Sequence, residues 1–464
     1  MTMNSELSAV LAHVDDNLDE GLERLKALLR IKSISTDPAY APECRRAANW
    51  LSEQLQDLGF EAAPRQTPGH PVVVAHSPDQ VGPHVLFYAH YDVQPVDPLS
   101  QWHSDPFEPV VQTDAKGNRI IIARGASDDK GQMMTFIEAC RAWKTVTGTL
   151  PVRVSMLLEG EEESGGPSLP DFLTTHRDEL SAADIALVCD TRMWDAATPS
   201  VITMLRGLVA EEIEITCARK DLHSGMFGNA ARNPNQILAQ IIASLRTADG
   251  SVAIPDFYDD VAEISPELKA QWAGLGFDEG AFLGTAGLSV PAGETGRTIL
   301  ETLWARPTCE INGMTGGYTG DGFKTVIPAT ACAKISFRLV SNMDPEKIRQ
   351  AFRRHVEAQL PPDCTIRFTG HGGSPAITVP SDGAALQKAI SALTEEWGKR
   401  AVITGSGGSI PVVGEFKRVL DLDTFLIGFA RIDNKVHSPN EKYDVESFYK
   451  GTRSWVRILA ALAD

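Results

Sequence analysis

No run of about 18 consecutive apolar residues occurs anywhere in the 464-residue chain, which argues against a membrane-spanning helix. Positive charge is also scarce: 43 Lys and Arg stand against 61 Asp and Glu, a net charge of −18. Nucleic acid and anionic membranes both need a basic surface, so neither is expected as a partner. Cysteine is sparse, with seven residues, no CxxC pair and an odd count that suits reduced thiols in a cytoplasm. The segment Met1 to Arg30 is acidic and amphipathic, without a basic stretch ahead of an apolar core. No signal peptide is read there, and a cytoplasmic location is expected. Repeats and low-complexity segments are missing. So is a phosphate-cradling glycine loop with Lys and Ser behind it, which weighs against a phosphohydrolase.

What is present is the composition of a globular protein, 43% hydrophobic and 22% charged, long enough for two domains. Leu7 to Leu29 carries apolar residues at helical spacing and predicts one helix, and Cys44 to Gly59 a second. Val85 to Ala89, Val152 to Leu158 and Ile185 to Cys189 are short continuous apolar runs, which suit the buried strands of an α/β sheet. Beyond Asp190 the texture changes to alternating strands at Gly207 to Cys217 and Ala331 to Val340, with helices at Pro234 to Leu245 and from Asp344. A long stretch from Ala248 to Thr325 is punctuated by proline and glycine. The expected fold is therefore α/β: a catalytic domain with a mixed, mostly parallel sheet flanked by helices (residues 1–204 and 376–464), plus an inserted α+β domain (205–375).

Each buried strand ends in chemistry. His90 and Asp92 follow the first, Glu159 to Glu163 the second and Asp190 the third. Asp128 and Asp129 sit side by side on a glycine-flanked turn between a strand and a helix. Ligands gather at the carboxyl edge of such sheets, and so many acids on one rim repel one another unless a cation stands among them. With His437 the candidate ligands are His90, Asp128, Glu162 or Glu163, Asp190 and His437. Mixed imidazole and carboxylate donors suit zinc, manganese or cobalt better than calcium. Their number exceeds what one catalytic zinc takes and fits a two-metal site that activates water, leaving one acid over as general base.

The stretches His90 to Pro95, Gly125 to Gly131, Glu159 to Gly165, Asp221 to Gly225, Thr325 to Pro328, Gly407 to Pro411 and His437 to Glu441 resemble the carnosinase/aminoacylase family of dinuclear metallopeptidases. The likeness covers nearly the whole chain and is nearest to the cytosolic nonspecific dipeptidase and carnosinase branch. It implies two divalent ions, zinc foremost, with His90 and Asp190 on one, Glu163 and His437 on the other, and Asp128 bridging. It implies a cis peptide between Asp128 and Asp129, Asp92 orienting the His90 ring, and Glu162 as the general base. It further implies a homodimer in which His223 reaches the partner's active site and steadies the oxyanion. Arg338 would grip the substrate's carboxylate, with Thr325, Gly408 and Ser409 lining the same pocket, and the inserted domain would serve as lid and dimerisation domain.

The chain departs from the dipeptidase pattern in one place. Relatives of that branch carry an acid just before Gly-Gly-Ser-Ile-Pro, where it helps recognise a free amino group; here Ser406-Gly407 stands instead. The expected activity is hydrolysis of a dipeptide amide. An N-acyl-amino-acid deacylase, a carboxypeptidase or an inactive peptide-binding relative are the alternatives.

Overall fold

The computed structural model describes residues 3–78, 82–408 and 410–463. It divides into two compact units: residues 1–203, 379–404 and 411–464 form the first, and 204–378 with 405–410 the second. Gly405 to Ile410, expected with the catalytic domain, clusters with the second unit.

In the first unit a sheet runs in the order Glu61–Arg65, Val72–His76, Arg153–Glu159, His84–His90, Ile185–Val188, Thr424–Ile427, Ser200–Leu205. Four neighbours in its centre, from Arg153–Glu159 to Thr424–Ile427, are parallel, while both flanks are antiparallel. The central strands are buried on both faces, as their unbroken apolar runs require. Helices Lys130–Thr147 and Val445–Ala463 cover one face. Phe87 of the His90 strand stacks on Phe136 with ring centroids 3.8 Å apart, and Trp455 meets both rings edge-on. The Trp455 indole N–H donates to Thr135 at 3.1 Å, so this aromatic core leaves no polar atom of the indole orphaned.

One expectation fails on local grounds. The single helix read over Leu7 to Leu29 is two, Met3–Asp16 and Leu18–Leu29. Asn17 leaves the helical region, and its side-chain amide and its own backbone N–H share the His13 carbonyl at 2.8 and 3.1 Å. The proline- and glycine-punctuated stretch Ala248 to Thr325 has regular structure of its own. It holds helices Pro266–Ala273, Glu279–Thr285 and Ile299–Trp304 and the strand Thr308–Gly316. That strand lies at a sheet edge with most of its residues exposed, so no apolar alternation marks it.

The second unit is built on an antiparallel sheet in the order Thr308–Gly316, Thr330–Leu339, Gly207–Thr216, Thr365–Ser374. Burial alternates strictly along Gly207–Thr216. Helices Pro234–Ser244 and Pro345–Glu357 pack on the buried face around Phe257, Phe337 and Phe352. Glu211 points into that face and is almost fully buried, held by Arg349 and by Arg353 at 3.0 Å. Among the described residues no helix is long and apolar enough to cross a membrane.

Candidate metal centre

Because the four central strands are parallel, their carboxyl ends share one edge, and residues far apart in sequence arrive there together. His90 is the last residue of its strand and pairs across to Glu159. Asp190 lies two residues beyond Val188. Glu162 and Glu163 occupy a single 3-10 turn, Glu162–Ser164, just past the Glu159 strand. The loop after Thr424–Ile427 delivers His437, which takes a positive φ of 61°. Asp128 comes from the turn ahead of helix Lys130–Thr147, and its peptide bond to Asp129 is cis. A Cβ at Gly131 would stand 1.9 Å from the Ala126 carbonyl oxygen, so the turn closes on the helix only with glycine there.

These residues form two triads with one member in common. His90 Nε2 lies 3.1 Å from Asp128 Oδ1 and 3.8 Å from Asp190 Oδ2. His437 Nε2 lies 2.9 Å from Asp128 Oδ2 and 3.2 Å from Glu163 Oε2. Within each triad one donor atom per residue falls within 4.8 Å of the others, close enough to share an ion. Asp128 turns one oxygen to each side.

The electrostatics demand positive charge here. Burial would pull the His90 ring down, but its hydrogen bonds to Asp128 and Asp92 hold its pKa well above the usual value. Asp128 and Glu163 push His437 up to about 10. Burial drives Asp190 well above the carboxylate range, His90 opposes it, and Asp128, Glu162 and Glu163 add to the rise. Three carboxylates and two imidazoles at this spacing fit divalent ions of the zinc, manganese or cobalt kind. The same donors bind protons strongly when no cation stands among them.

Around the triads the supports are specific. Asp92 Oδ1 is 3.3 Å from His90 Nδ1, while its two oxygens accept the Glu162 and Glu163 amides at 3.3 and 3.0 Å. One buried carboxylate thus ties the His90 strand end to the Glu162 turn. Gln94 donates to Glu163 Oε2 at 2.7 Å. Glu162 is partly buried; burial raises its pKa, His90 lowers it, and Glu163, Asp92 and Asp128 raise it further. A cavity of about 380 Å³ opens beside the centre, lined by Asp128, Asp190, Arg192, Ile432 and Lys435 among others.

Several residues that hold the site were not read from the sequence. Glu441, fully buried, accepts from the Ser127 and Asp128 amides at 2.8 and 3.0 Å with one oxygen. Its other oxygen takes the Gly125 amide at 2.9 Å and Arg124 Nη1 at 2.8 Å. Gln132 spans the centre in the same way: its Oε1 accepts the Phe429 amide at 2.8 Å and its Nε2 donates to the Ser127 carbonyl. Asp129 Oδ2 accepts the His90 amide at 3.2 Å. The available signal was polarity out of place, since Gln132 interrupts an apolar helix and Glu441 closes the His437 motif.

The remaining expected residues belong to the second unit. His223 is exposed, and its Nδ1 accepts the Gly225 amide at 3.0 Å, leaving Nε2 protonated and free to donate. It pairs with Val326 in a two-stranded ladder, so it sits beside Thr325, whose carbonyl takes the Ser224 amide. Arg338 lies on the central strand Thr330–Leu339, flanked by Leu208 and Thr308. With Arg206 and Arg246 it lines a cavity of about 510 Å³ within this unit. Gly408 is exposed, its amide 3.2 Å from Ser406 Oγ. Ser409 lies outside the described residues.

Histidines and carboxylates at the carboxyl edge of a parallel sheet, in two triads joined by one carboxylate, make a candidate metal centre of the kind that suits metal-assisted hydrolysis. Residues 86–461 match the model of peptidase family M20/M25/M40, and the chain belongs to that family. It is 30% identical over 477 aligned positions to the Cys-Gly metallodipeptidase dug1 of Schizosaccharomyces pombe, covering 99% of both. Human Beta-Ala-His dipeptidase is 28% identical, over 98% of this chain and 93% of its own. Among solved structures, the M20 family metallo-carboxypeptidase Sso-CP2 of Sulfolobus solfataricus superposes with a TM-score of 0.77 at 31% identity, covering 96% of this chain and 99% of that one. The chain is a peptide-bond hydrolase of this family.

Proposed function

We propose that this chain cleaves the amide bond of dipeptides with two divalent ions, zinc by preference, held by His90, Asp128 and Asp190 and by Asp128, Glu163 and His437. The observation that carries the reading is Asp128, whose two oxygens face a different histidine each at 3.1 and 2.9 Å. Ions held there would supply an acidified water and polarise the scissile carbonyl. Glu162 takes the proton from the attacking water and returns it to the departing amine. Asp92 keeps the His90 ring in the orientation that presents Nε2. His223, with Nε2–H free, donates to the oxyanion in the active site of the partner protomer of a homodimer. Arg338 takes the substrate carboxylate bidentately, with Thr325, Gly408 and Ser409 alongside.

A second reading rests on Ser406. Its hydroxyl faces the Gly408 amide and brings no carboxylate to a substrate ammonium. An N-acyl amino acid would suit such a site. The test is hydrolysis of matched dipeptides and their N-acetylated counterparts by protein stripped of metal and reloaded with zinc or manganese. Faster cleavage of the free-amine set establishes the dipeptidase; faster cleavage of the blocked set makes the chain a deacylase. Equal turnover with and without metal would refute both.

A further inference from the structure

In the second unit, strands Gly207–Thr216 and Thr365–Ser374 run antiparallel, and their ladder ends with Thr216 opposite Thr365. One step further along the same register, Cys217 stands opposite Cys364. The Cys217 amide turns away from Cys364 to the Ala329 carbonyl at 2.9 Å, and the Cys364 amide turns back to Pro361 at 3.3 Å. The two residues therefore face each other at a position without ladder hydrogen bonds, where opposed side chains approach most closely. Their sulfurs are 2.7 Å apart. Directly opposed strand positions of this kind match the Cα and Cβ separations that a disulfide requires.

The other cysteines are placed differently. Cys44, Cys140, Cys189 and Cys309 are buried, and Cys332 faces Glu214 at 3.7 Å. Cys217 is partly exposed whereas Cys364 is 9% exposed, so a soluble reagent reaches Cys217 first.

We propose that Cys217 and Cys364 form a reversible oxidation site, a cross-strand disulfide made by exchange with a low-molecular-weight disulfide. The Cys217 thiolate attacks the reagent, forming a mixed disulfide and releasing one thiol after the cysteine has given up its proton. Cys364, likewise deprotonated, attacks the Cys217 sulfur of that mixed disulfide and releases the second reagent thiol. Two protein thiols are oxidised and one reagent disulfide is reduced to two thiols, which take up the two protons. Burial and the neighbouring Cys364 push the Cys217 thiol up to about 12, so the first step is slow near neutrality and quickens as pH rises. The bond closes a loop that contains helices Pro234–Ser244 and Pro345–Glu357 and both strands Thr308–Gly316 and Thr330–Leu339. It pins the edge strand Thr365–Ser374 to the sheet and restricts the unfolded chain more than the folded one.

The test uses the full-length wild-type protein, incubated with oxidised glutathione, alkylated under denaturing conditions and weighed intact. The expected result is the loss of two of the seven thiols, a peptide map joining Cys217 to Cys364, reversal by dithiothreitol, and a melting transition raised by several degrees. Cys364→Ser should instead stop at a stable glutathione adduct on Cys217, whereas Cys332→Ser should still form the bridge. Seven titrating thiols at equilibrium, a bridge to another cysteine, or a wild-type protein that stops at the mixed disulfide would each overturn the proposal.

Discussion

Replacing Glu441 by glutamine tests whether the Asp128 turn is held by charge. The side chain keeps its size, but one of two acceptor oxygens becomes an NH₂ group. Each oxygen now receives two donors: Ser127 and Asp128 amides on one, Gly125 and Arg124 on the other. Whichever way the amide is turned, two hydrogen bonds are lost and donors face donors. Arg124, 1% exposed, also loses its only carboxylate partner among the described residues, keeping the Pro95 carbonyl at 3.1 Å and the Trp102 ring. Breaking a buried pair in this way costs about 3–5 kcal/mol, roughly a fifth or more of a typical domain's stability. For a domain of this size that lowers Tm by roughly 10 °C. Because the Asp128 amide is one of the four donors, metal affinity should also fall, on the order of 10–100-fold. Calorimetry of metal-loaded and chelated protein, with metal titration, reads both. Adding Arg124→Met should recover part of the loss, because the uncompensated guanidinium goes with it. A Tm within about 2 °C of wild type, or a double variant that loses the sum of both single effects, would refute the argument.

Three further outcomes are expected. Glu162→Gln should retain both metals by elemental analysis while kcat for dipeptides drops by about 10²–10⁴; turnover near wild type would remove Glu162 as the base. His223→Ala should lose rate without losing metal, and mixing it with Glu162→Gln should restore some activity in hybrid dimers, since one intact site then forms per pair. Stability should fall on acidification through His84. Its Nδ1 donates to the Ala182 carbonyl at 2.9 Å, and its Nε2 meets the Ser155 hydroxyl at 2.7 Å, which His76 Nδ1 also meets at 2.7 Å. Burial lowers its folded pKa, Ala182 opposes that, and Arg153 and His76 lower it further while Asp184 raises it. The unfolded chain therefore binds the proton first, near pH ~6.5. Stability declines as pH falls through that value and levels off below the folded pKa. Urea midpoints at about pH 7 and about pH 5.5 should differ less in His84→Gln than in wild type.

Local pattern made most elements legible. The buried strands show as unbroken apolar runs, and the change from those runs to alternation at Gly207–Thr216 marks the change from a sheet covered on both faces to one covered on one. Acid and imidazole at successive strand ends pointed to one rim because parallel strands must end on the same side. Edge strand Thr308–Gly316 escaped notice because an exposed edge needs no apolar pattern. The break at Asn17 did too, because one residue's departure from helical dihedrals leaves the hydrophobic stripe continuous.

Donor types are written in the chain, and so is the polarity that makes Gln132 and Glu441 conspicuous. Which donors meet is a property of the sheet order. Thr424–Ile427 lies next to Ile185–Val188 despite more than two hundred intervening residues, and that neighbourhood brings His437 to Asp128. Between Glu162 and Glu163 the residues alone could not choose. In the fold, Glu163 turns toward His437 and Gln94, and a carboxylate's partners follow from three-dimensional distance, which spacing along the chain does not encode.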